Sequence, residues 1–313
     1  MLTIMQYDLS IVILTYNQIP LVRQTLQSLK ELLPKSQLKV QAIVVDNNST
    51  EDVIGTVRSE FPEVEVLANQ ENYGFAAGNN KAIGLVKGKY VLFLNSDTKL
   101  TGIVLDEMVK RLENDPQSGV VTCRVELADG TIDPACHRGF PTPWRSFAYY
   151  TGLEKLAAIL DVDFLKEWFG GYHLLALRDL STPHAIDACT GAFLMMSKEL
   201  GDKLGWWDED YFMYGEDLDL CFRVKAQGLK VMYYPECKII HYKHSSGLKS
   251  GLESSEKTRQ VKIKTTKAFF EAMKIFFEKH YRNQYPSIVR KVVYLGIDFL
   301  LWFRLRKIIS ARS

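Results

Sequence analysis

Short apolar runs, each closed by a polar cluster and followed by a helical pattern, recur along the first hundred residues. Leu9 to Leu14 is largely apolar and ends in Thr15-Tyr16-Asn17; Pro20 and the apolar positions Leu21, Val22, Leu26 and Leu29 then predict a helix. Val40 to Val45 is apolar apart from Gln41, is broken by Asp46-Asn47-Asn48-Ser49-Thr50, and precedes a helix expected from Glu51 to about Phe61. Val64 to Leu67 gives a third, short strand. Strands and helices alternating at this spacing imply right-handed βαβ units and a parallel sheet. The longest uninterrupted run, Tyr90 to Leu94, predicts a strand buried on both faces.

That strand turns abruptly into Asn95-Ser96-Asp97. Open α/β sheets place ligands at the carboxyl ends of their strands, so Asp97 shares an edge with the polar residues after the first two strands. A carboxylate there suits a hard divalent cation that also holds substrate phosphates. The alternative is a turn that only leads into a helix near Ile103. Asp46 has two readings as well, as an acceptor for a ribose or base and as a cap of the helix after it. Neither G-x-G-x-x-G after the first strand nor a G-x-x-x-x-G-K-[ST] loop occurs, which removes support for a dinucleotide fold or a P-loop. In N-Q-E-N-Y-G-F-A-A-G-N-N, Gly74 and Gly78 would admit a ligand close to the backbone, and Asn79, Asn80 and Lys81 offer donors at an anion site. A plain turn competes with that reading.

The second half begins with a helix from Ile103 to Leu112 and a strand from Val120 to Val125. From Asp129 to about Pro183 the period is lost, aromatic residues mix with Gly, Pro and charge, and only Leu153 to Trp168 reads as helical. Such a segment suits an acceptor-binding insertion, or a face packed on the core. A strand follows Gly191 toward Met196, and then comes W-W-D-E-D-Y-F-M-Y-G-E-D-L-D-L-C-F-R. Leu218, Cys221 and Phe222 mark the buried stripe of a helix that carries Glu216 and Asp217 in its first turn. Acids there balance the helix dipole; three in four residues also offer a base for a hydroxyl proton. Lys230 to Tyr234 and Lys238 to Ile240 read as strands leading to His241-Tyr242-Lys243-His244.

Composition then narrows the function. The net charge of +2 leaves no footprint for nucleic acid. It is unevenly placed: residues 249 to 313 hold fifteen Lys and Arg against five Asp and Glu, a net of +10, which leaves −8 on the remainder. A basic tail suggests an anionic surface. The apolar stretch Val292 to Phe303 is too short to cross a bilayer and, flanked by Arg290, Lys291, Arg304, Arg306 and Lys307, suits a helix lying among headgroups; docking on the catalytic body or on a second subunit is the alternative. Five scattered cysteines and an N-terminus without an export signal suggest reduced thiols and a cytoplasmic protein, peripheral on the inner face of the plasma membrane.

Taken together, T-Y-N, V-V-D-N-N-S, N-Y-G-F-A-A-G-N-N, F-L-N-S-D-T and G-E-D-L-D-L-C-F-R resemble family 2 glycosyltransferases of the GT-A fold, in their rhamnosyltransferase-like branch. The resemblance implies an α/β nucleotide-sugar-binding fold with a mostly parallel central sheet flanked by helices and a C-terminal helical extension. The catalytic domain would span residues 1 to 247, with an acceptor-side insertion at 129 to 183, and a basic helical tail would follow from 248 to 313. It implies that Thr15, Tyr16, Asn17, Asp46 and Asn48 contact the donor nucleotide, with Gly78, Asn79, Asn95, Ser96 and Asp97 completing that site. Asp97 and His241 would hold Mg2+ or Mn2+, His244 being a weaker candidate, and Lys243 would face the diphosphate. Asp217 would be the catalytic base with Glu216 as its substitute, and Asp219 would orient Arg223 or a neighbouring backbone group. The metal motif departs from the common D-x-D in having Asn95 at its first position, so Asp97 is expected to carry the ion. The implied reaction is inverting transfer of a sugar, rhamnose in the first instance, from a nucleotide diphosphate to a glycan or polyprenyl-linked acceptor. A non-catalytic nucleotide-sugar-binding protein and a nucleotidyltransferase are the rival readings.

Overall fold

In the computed structural model, which describes residues 6–177, 180–243 and 256–310, the expected alternation is present: β1 (Tyr7–Thr15), α1 (Ile19–Leu32), β2 (Val40–Asp46), α2 (Val53–Glu60), β3 (Glu65–Ala68), α3 (Gly74–Asn80) and β4 (Gly88–Leu94). Pro20 opens α1, whose Val22, Leu26 and Leu29 are buried as their spacing requires. After β4 come β5 (Thr98–Leu100), α4 (Val104–Asn114) and β6 (Ser118–Leu127). The insertion folds into three short helices, α5 (Pro143–Thr151), α6 (Leu153–Leu160) and α7 (Asp163–Phe169). Then follow β7 (His184–Ile186), β8 (Phe193–Ser197), α8 (Lys198–Leu204), α9 (Glu216–Ala226) and β9 (Lys230–His241). Two long helices end the described chain, α10 (Glu256–Phe276) and, beyond a wide turn at Phe277–Tyr281, α11 (Ser287–Ser310).

Among the described residues, all nine strands belong to one mixed, mostly parallel sheet in the order β3-β2-β1-β4-β8-β6-β9-β5, with β7 paired to β9. Strands β3, β2, β1 and β4 run parallel, so their carboxyl ends, and with them Thr15, Asp46 and Asn95 to Asp97, share one edge. β8 enters antiparallel to both β4 and β6, and β6 and β9 are again parallel. The core lies on both faces of these strands; Ile11, Ile13, Ile43, Leu92 and Phe93 have no exposed surface.

Four local outcomes differ from the sequence pattern. The segment after Asp97 does not run directly into a helix but forms the short strand β5, antiparallel to β9 with Thr98 opposite His241. The two strands expected around Pro235 are one, interrupted by a register shift between Tyr234 and Lys238 that accommodates the missing proline N–H. The helix expected from Leu153 to Trp168 breaks at Asp161, which takes a left-handed conformation at φ 57°. α10 is not a free tail: Phe270, Ala272, Phe276, Phe277 and Tyr281 are buried, and Phe276 meets Phe140 and Phe222 of the catalytic body. The boundary expected near residue 247, and His244, lie outside the described residues.

Glycine at 74 is dictated by backbone packing. Its φ is +81°, and an added Cβ would lie 2.1 Å from the Phe212 carbonyl oxygen, which already accepts the Phe75 N–H at 2.7 Å. Gly74→Ala should therefore destabilise the fold by on the order of 1–3 kcal/mol, read as a lowered urea midpoint; an unchanged midpoint would contradict this packing.

Candidate active site

The turn after β4 is fixed before any ligand arrives. Thr25 of α1 places its hydroxyl against the Ser96 and Thr98 carbonyls, at 2.8 and 2.6 Å, and Asn95 donates its N–H to the Ala192 carbonyl at the end of the β8 approach. Asp97 is buried, and its carbonyl accepts the Tyr242 N–H at 2.8 Å. The β5–β9 pairing thus carries His241 to the same point: its Nε2 lies 3.1 Å from Asp97 Oδ1 and 3.4 Å from the Asn95 amide nitrogen.

The other imidazole nitrogen reaches a residue that sequence reasoning missed. His241 Nδ1 is 3.1 Å from Asp133 Oδ2, and Asp133, with no exposed surface, also accepts from Lys243 Nζ at 3.0 Å. Burial by itself would lower the His241 pKa, but hydrogen bonds to Asp133 and Asp97 and their charges outweigh it and raise it to about 9. Burial likewise works against the Asp133 carboxylate, yet the hydrogen bond from His241 and the charge of Lys243 hold it well below the usual carboxylate range. Only the Asp-Pro dipeptide at 133–134 hinted at a turn there; nothing in the sequence linked it to a histidine 108 residues away.

On the opposite wall, Gly215 in a left-handed conformation starts α9, so Glu216 and Asp217 occupy its first turn as expected. Asp217 Oδ2 accepts from Arg138 at 2.6 Å, and its Oδ1 accepts the Leu218 N–H at 2.8 Å. Arg138, the second residue that the sequence left unnoticed, also donates to the Cys189 carbonyl at 3.0 Å. Glu216 Oε2 is buried and has no hydrogen-bond partner among the described residues. Burial, and then the adjacent Asp217 charge, push the Glu216 carboxyl up to about 8. Asp219 holds Arg223 at 2.7 Å, as expected, and also meets His280 Nε2 at 2.7 Å, which ties the wide turn after α10 to α9.

Asn95, Arg138, Glu216, Asp217, His241 and Lys243 line one cavity of about 770 Å³. Of the residues expected at the donor site, Asn95 alone is among its lining residues; Asp97 lies behind His241, and Ser96 and the candidates after β1 and β2 are not among them either. Asp46 is buried and braced by Ser49, whose hydroxyl in turn accepts the Asn17 N–H at 2.8 Å; the helix-capping role falls to Asp52. Asn17 and Asn48 both hold left-handed backbones, and Tyr16 and Asn48 are exposed at the rim. The buried Thr15 hydroxyl has no partner among the described residues. Gly78 and Asn79 differ from expectation: both are buried, Gly78 letting α3 approach Leu14 and Asn47, and Asn79 bonding the Phe75 carbonyl at 2.9 Å, so their close contacts are with protein.

The donor chemistry suits a small divalent cation in part. Asp97 and His241 Nε2 face one another while buried Asp133 holds Nδ1, the usual outer partner of a ligating imidazole. No cluster of three or more His, Cys, Asp or Glu able to hold a metal occurs among the described residues, so a donor phosphate and water would have to supply the rest.

Comparison with known proteins agrees with this architecture. The model of "Glycosyl transferase family 2" matches residues 10–200. The N-acetylglucosaminyl-diphospho-decaprenol L-rhamnosyltransferase of Mycobacterium tuberculosis is 25% identical over 252 residues, 76% of this chain and 78% of that protein. The rhamnosyltransferase WbbL of Escherichia coli K12 is 24% identical, over 64% of this chain and 73% of its own. The O-antigen biosynthesis protein RfbC of Myxococcus xanthus is 26% identical over 66% of this chain, which spans only 15% of that protein. Among solved structures, GalNAc-T7 with UDP, GalNAc and Mn2+ superposes with a TM-score of 0.57 at 15% identity, over 87% of this chain and 50% of that one. The mannosyltransferase PcManGT of Pyrobaculum calidifontis with GDP-Man and Mn2+ gives 0.54 at 16% identity, over 99% and 75%.

The raised Glu216 pKa has a thermodynamic consequence. Between its ordinary value of 4.5 and about 8 the folded protein binds a proton that the unfolded chain has released, so this group's contribution to stability falls as pH rises through that window. Glu216→Gln should flatten that part of the stability profile and gain on wild type toward pH 8, as read from urea unfolding across pH; parallel profiles would contradict the burial of an unpartnered carboxyl.

Proposed function

The chain belongs to glycosyl transferase family 2 and is a glycosyltransferase, and from that premise we propose that it moves a single sugar, L-rhamnose in the first instance, from a nucleotide diphosphate to a lipid-linked glycan with inversion at the anomeric carbon. The observation that carries this reading is the convergence of two acids of α9 with Asn95 and His241 on one cavity at the carboxyl edge of the sheet, Asp97 standing 3.1 Å behind His241 and outside the cavity lining. The rhamnose is supported by the names of both rhamnosyltransferase relatives, and the polyprenyl-type acceptor by the decaprenol in the name of the mycobacterial one. Cell-surface polysaccharide synthesis is the matching process, as the name of the O-antigen relative suggests.

Asp97 and His241 would hold Mg2+ or Mn2+, with Asp133 keeping the imidazole oriented. Bound there, the ion would supply charge stabilisation to the departing diphosphate. Lys243, whose ammonium stands beside Asp133 on the cavity wall, is placed to meet the same negative charge. Thr15 to Asn17, Asp46 and Asn48 form the rim for the nucleoside, the unpartnered Thr15 hydroxyl being one available hydrogen-bonding group. Ser96 is held mainly by its backbone and serves to set the angle of Asp97.

Asp217 takes the proton of the attacking hydroxyl. Arg138 and the Leu218 N–H fix its carboxylate in one orientation at the cavity wall, which is the positioning that general-base catalysis requires. A second assignment, with Glu216 as the base, is favoured by one observation, the unengaged Oε2 of a carboxyl whose pKa lies near the working range.

Asp97→Ala should abolish transfer together with its dependence on added divalent cation, measured as release of nucleoside diphosphate from a panel of nucleotide sugars; full turnover after chelation would refute the metal assignment. Asp217→Asn should retain donor binding and lose about 10²–10⁴-fold in kcat. If Glu216→Gln shows that loss and Asp217→Asn does not, the two roles are exchanged.

A further inference from the structure

The cavity continues well past the catalytic acids, and its character changes on the way. At one end stand Arg138, Glu216, Asp217, His241 and Lys243. The rest runs between α5, α10 and α11, where every lining residue is apolar or carries at most a hydroxyl. Tyr150 of α5 reaches Met273 of α10, with its hydroxyl 3.7 Å from the sulfur, and Phe276 and Val293 continue the wall. A sugar chain would find only the Ser146, Tyr150 and Thr151 hydroxyls there, too few for its own hydroxyls, because buried polar groups need hydrogen bonds. A volume of about 770 Å³ with one charged end and a long apolar end fits an amphiphile.

The cavity's mouth identifies where such a molecule comes from. Ile288, Val292 and Phe299 of α11 line the cavity and are also 62–64% exposed. They are continuous with Leu295, Trp302 and Phe303 on the outside of the same helix, where Arg306 and Lys307 lie over the Trp302 and Phe303 rings at 4.7 and 4.6 Å. An exposed apolar face rimmed by cations suits the headgroup layer of an anionic bilayer. No helix among the described residues is long and apolar enough to cross a membrane. Resting on the transferase reading above, we infer that the space between α5, α10 and α11 receives the alkyl or isoprenoid chain of a phosphate-linked lipid acceptor. The chain enters from the bilayer through the α11 mouth and so delivers the acceptor hydroxyl to Glu216 and Asp217. α10 and α11 are thus part of the acceptor site, and the lipid never has to pass through water.

The test uses the full chain and dodecyl phosphate carrying a photoactivatable diazirine at the end of its alkyl chain. Crosslinks mapped by mass spectrometry should fall on Met273, Phe276 and Val293, and be suppressed by plain dodecyl phosphate but not by butyl phosphate or inorganic phosphate. In the wild-type protein, affinity should rise at least about tenfold from butyl to dodecyl phosphate. Val293→Trp, which narrows the channel, should collapse that chain-length preference, whereas Leu295→Ser on the outer face should keep it. Labelling confined to Leu295 and Trp302, or a flat chain-length series, would overturn the inference by reducing the contact to surface adsorption. So would a stable dimer that Leu295→Ser dissociates, since the face would then belong to a second copy. Absence of any nucleotide-sugar turnover by wild type would sink the transferase reading instead, independently of where the alkyl chain binds.

Discussion

His241 sits between two buried carboxylates, and the site depends on that arrangement. Asp97 ends the most deeply buried part of the parallel sheet, Asp133 opens the insertion, and His241 ends the last strand; three distant parts of the chain meet at 3.1 Å contacts. A charged cluster excluded from water is costly unless each member is paired. Here the imidazole bridges both acids and Lys243 compensates Asp133 from the rim. The pairing of β5 with β9 exists in service of this contact, because Thr98 opposite His241 brings the turn after β4 and the end of β9 into register.

The second wall follows from how the C-terminal helices dock. Phe276 between Phe140 and Phe222, the contact of His280 with Asp219, and the ion pairs of Lys279 with Asp208 and Asp210 bind the end of α10 and the wide turn after it to α9 and the loop before it. Asp187 joins α5 and α9 through Arg145 and Lys225. The acids of α9 are therefore held from both sides, and α10 meets the body along its length, through Lys264 over Phe212, Phe269 on Tyr214 and Phe276 on Phe222, while an apolar space remains between α5, α10 and α11. That geometry makes the tail a wall of the active cavity, a role that its charge and hydropathy alone did not suggest.

Much of the candidate site was legible because it lies where regular structure stops. Apolar runs located β1, β2, β4 and β8, and the polar residues just after them, Thr15 to Asn17, Asp46 and Asn95 to Asp97, fall on one edge by the direction of parallel strands alone. Glu216 and Asp217 were visible as abrupt chemistry at the start of an amphipathic helix, whereas His241 stood out only through the family resemblance. Asp133 and Arg138 were not, because they come from a segment with no period and act only through partners 108 and 79 residues away. Gly78 was read for its permissiveness, and the structure gives that permissiveness to α3 packing on Leu14 and Asn47. The break at Asp161 and the docking of α10 are tertiary choices that a one-dimensional apolar pattern leaves open.

Whether Asp97 and His241 form one cation site completed by the donor diphosphate can be read from Mn2+ binding followed by electron paramagnetic resonance. Titrations of wild type and His241→Ala would be run with and without deoxythymidine diphosphate. The account predicts that the nucleotide tightens Mn2+ binding to the wild-type protein by roughly tenfold or more beyond Mn2+–nucleotide association in solution, and that this coupling disappears in His241→Ala. Equal coupling in the two proteins, or none in either, would contradict it.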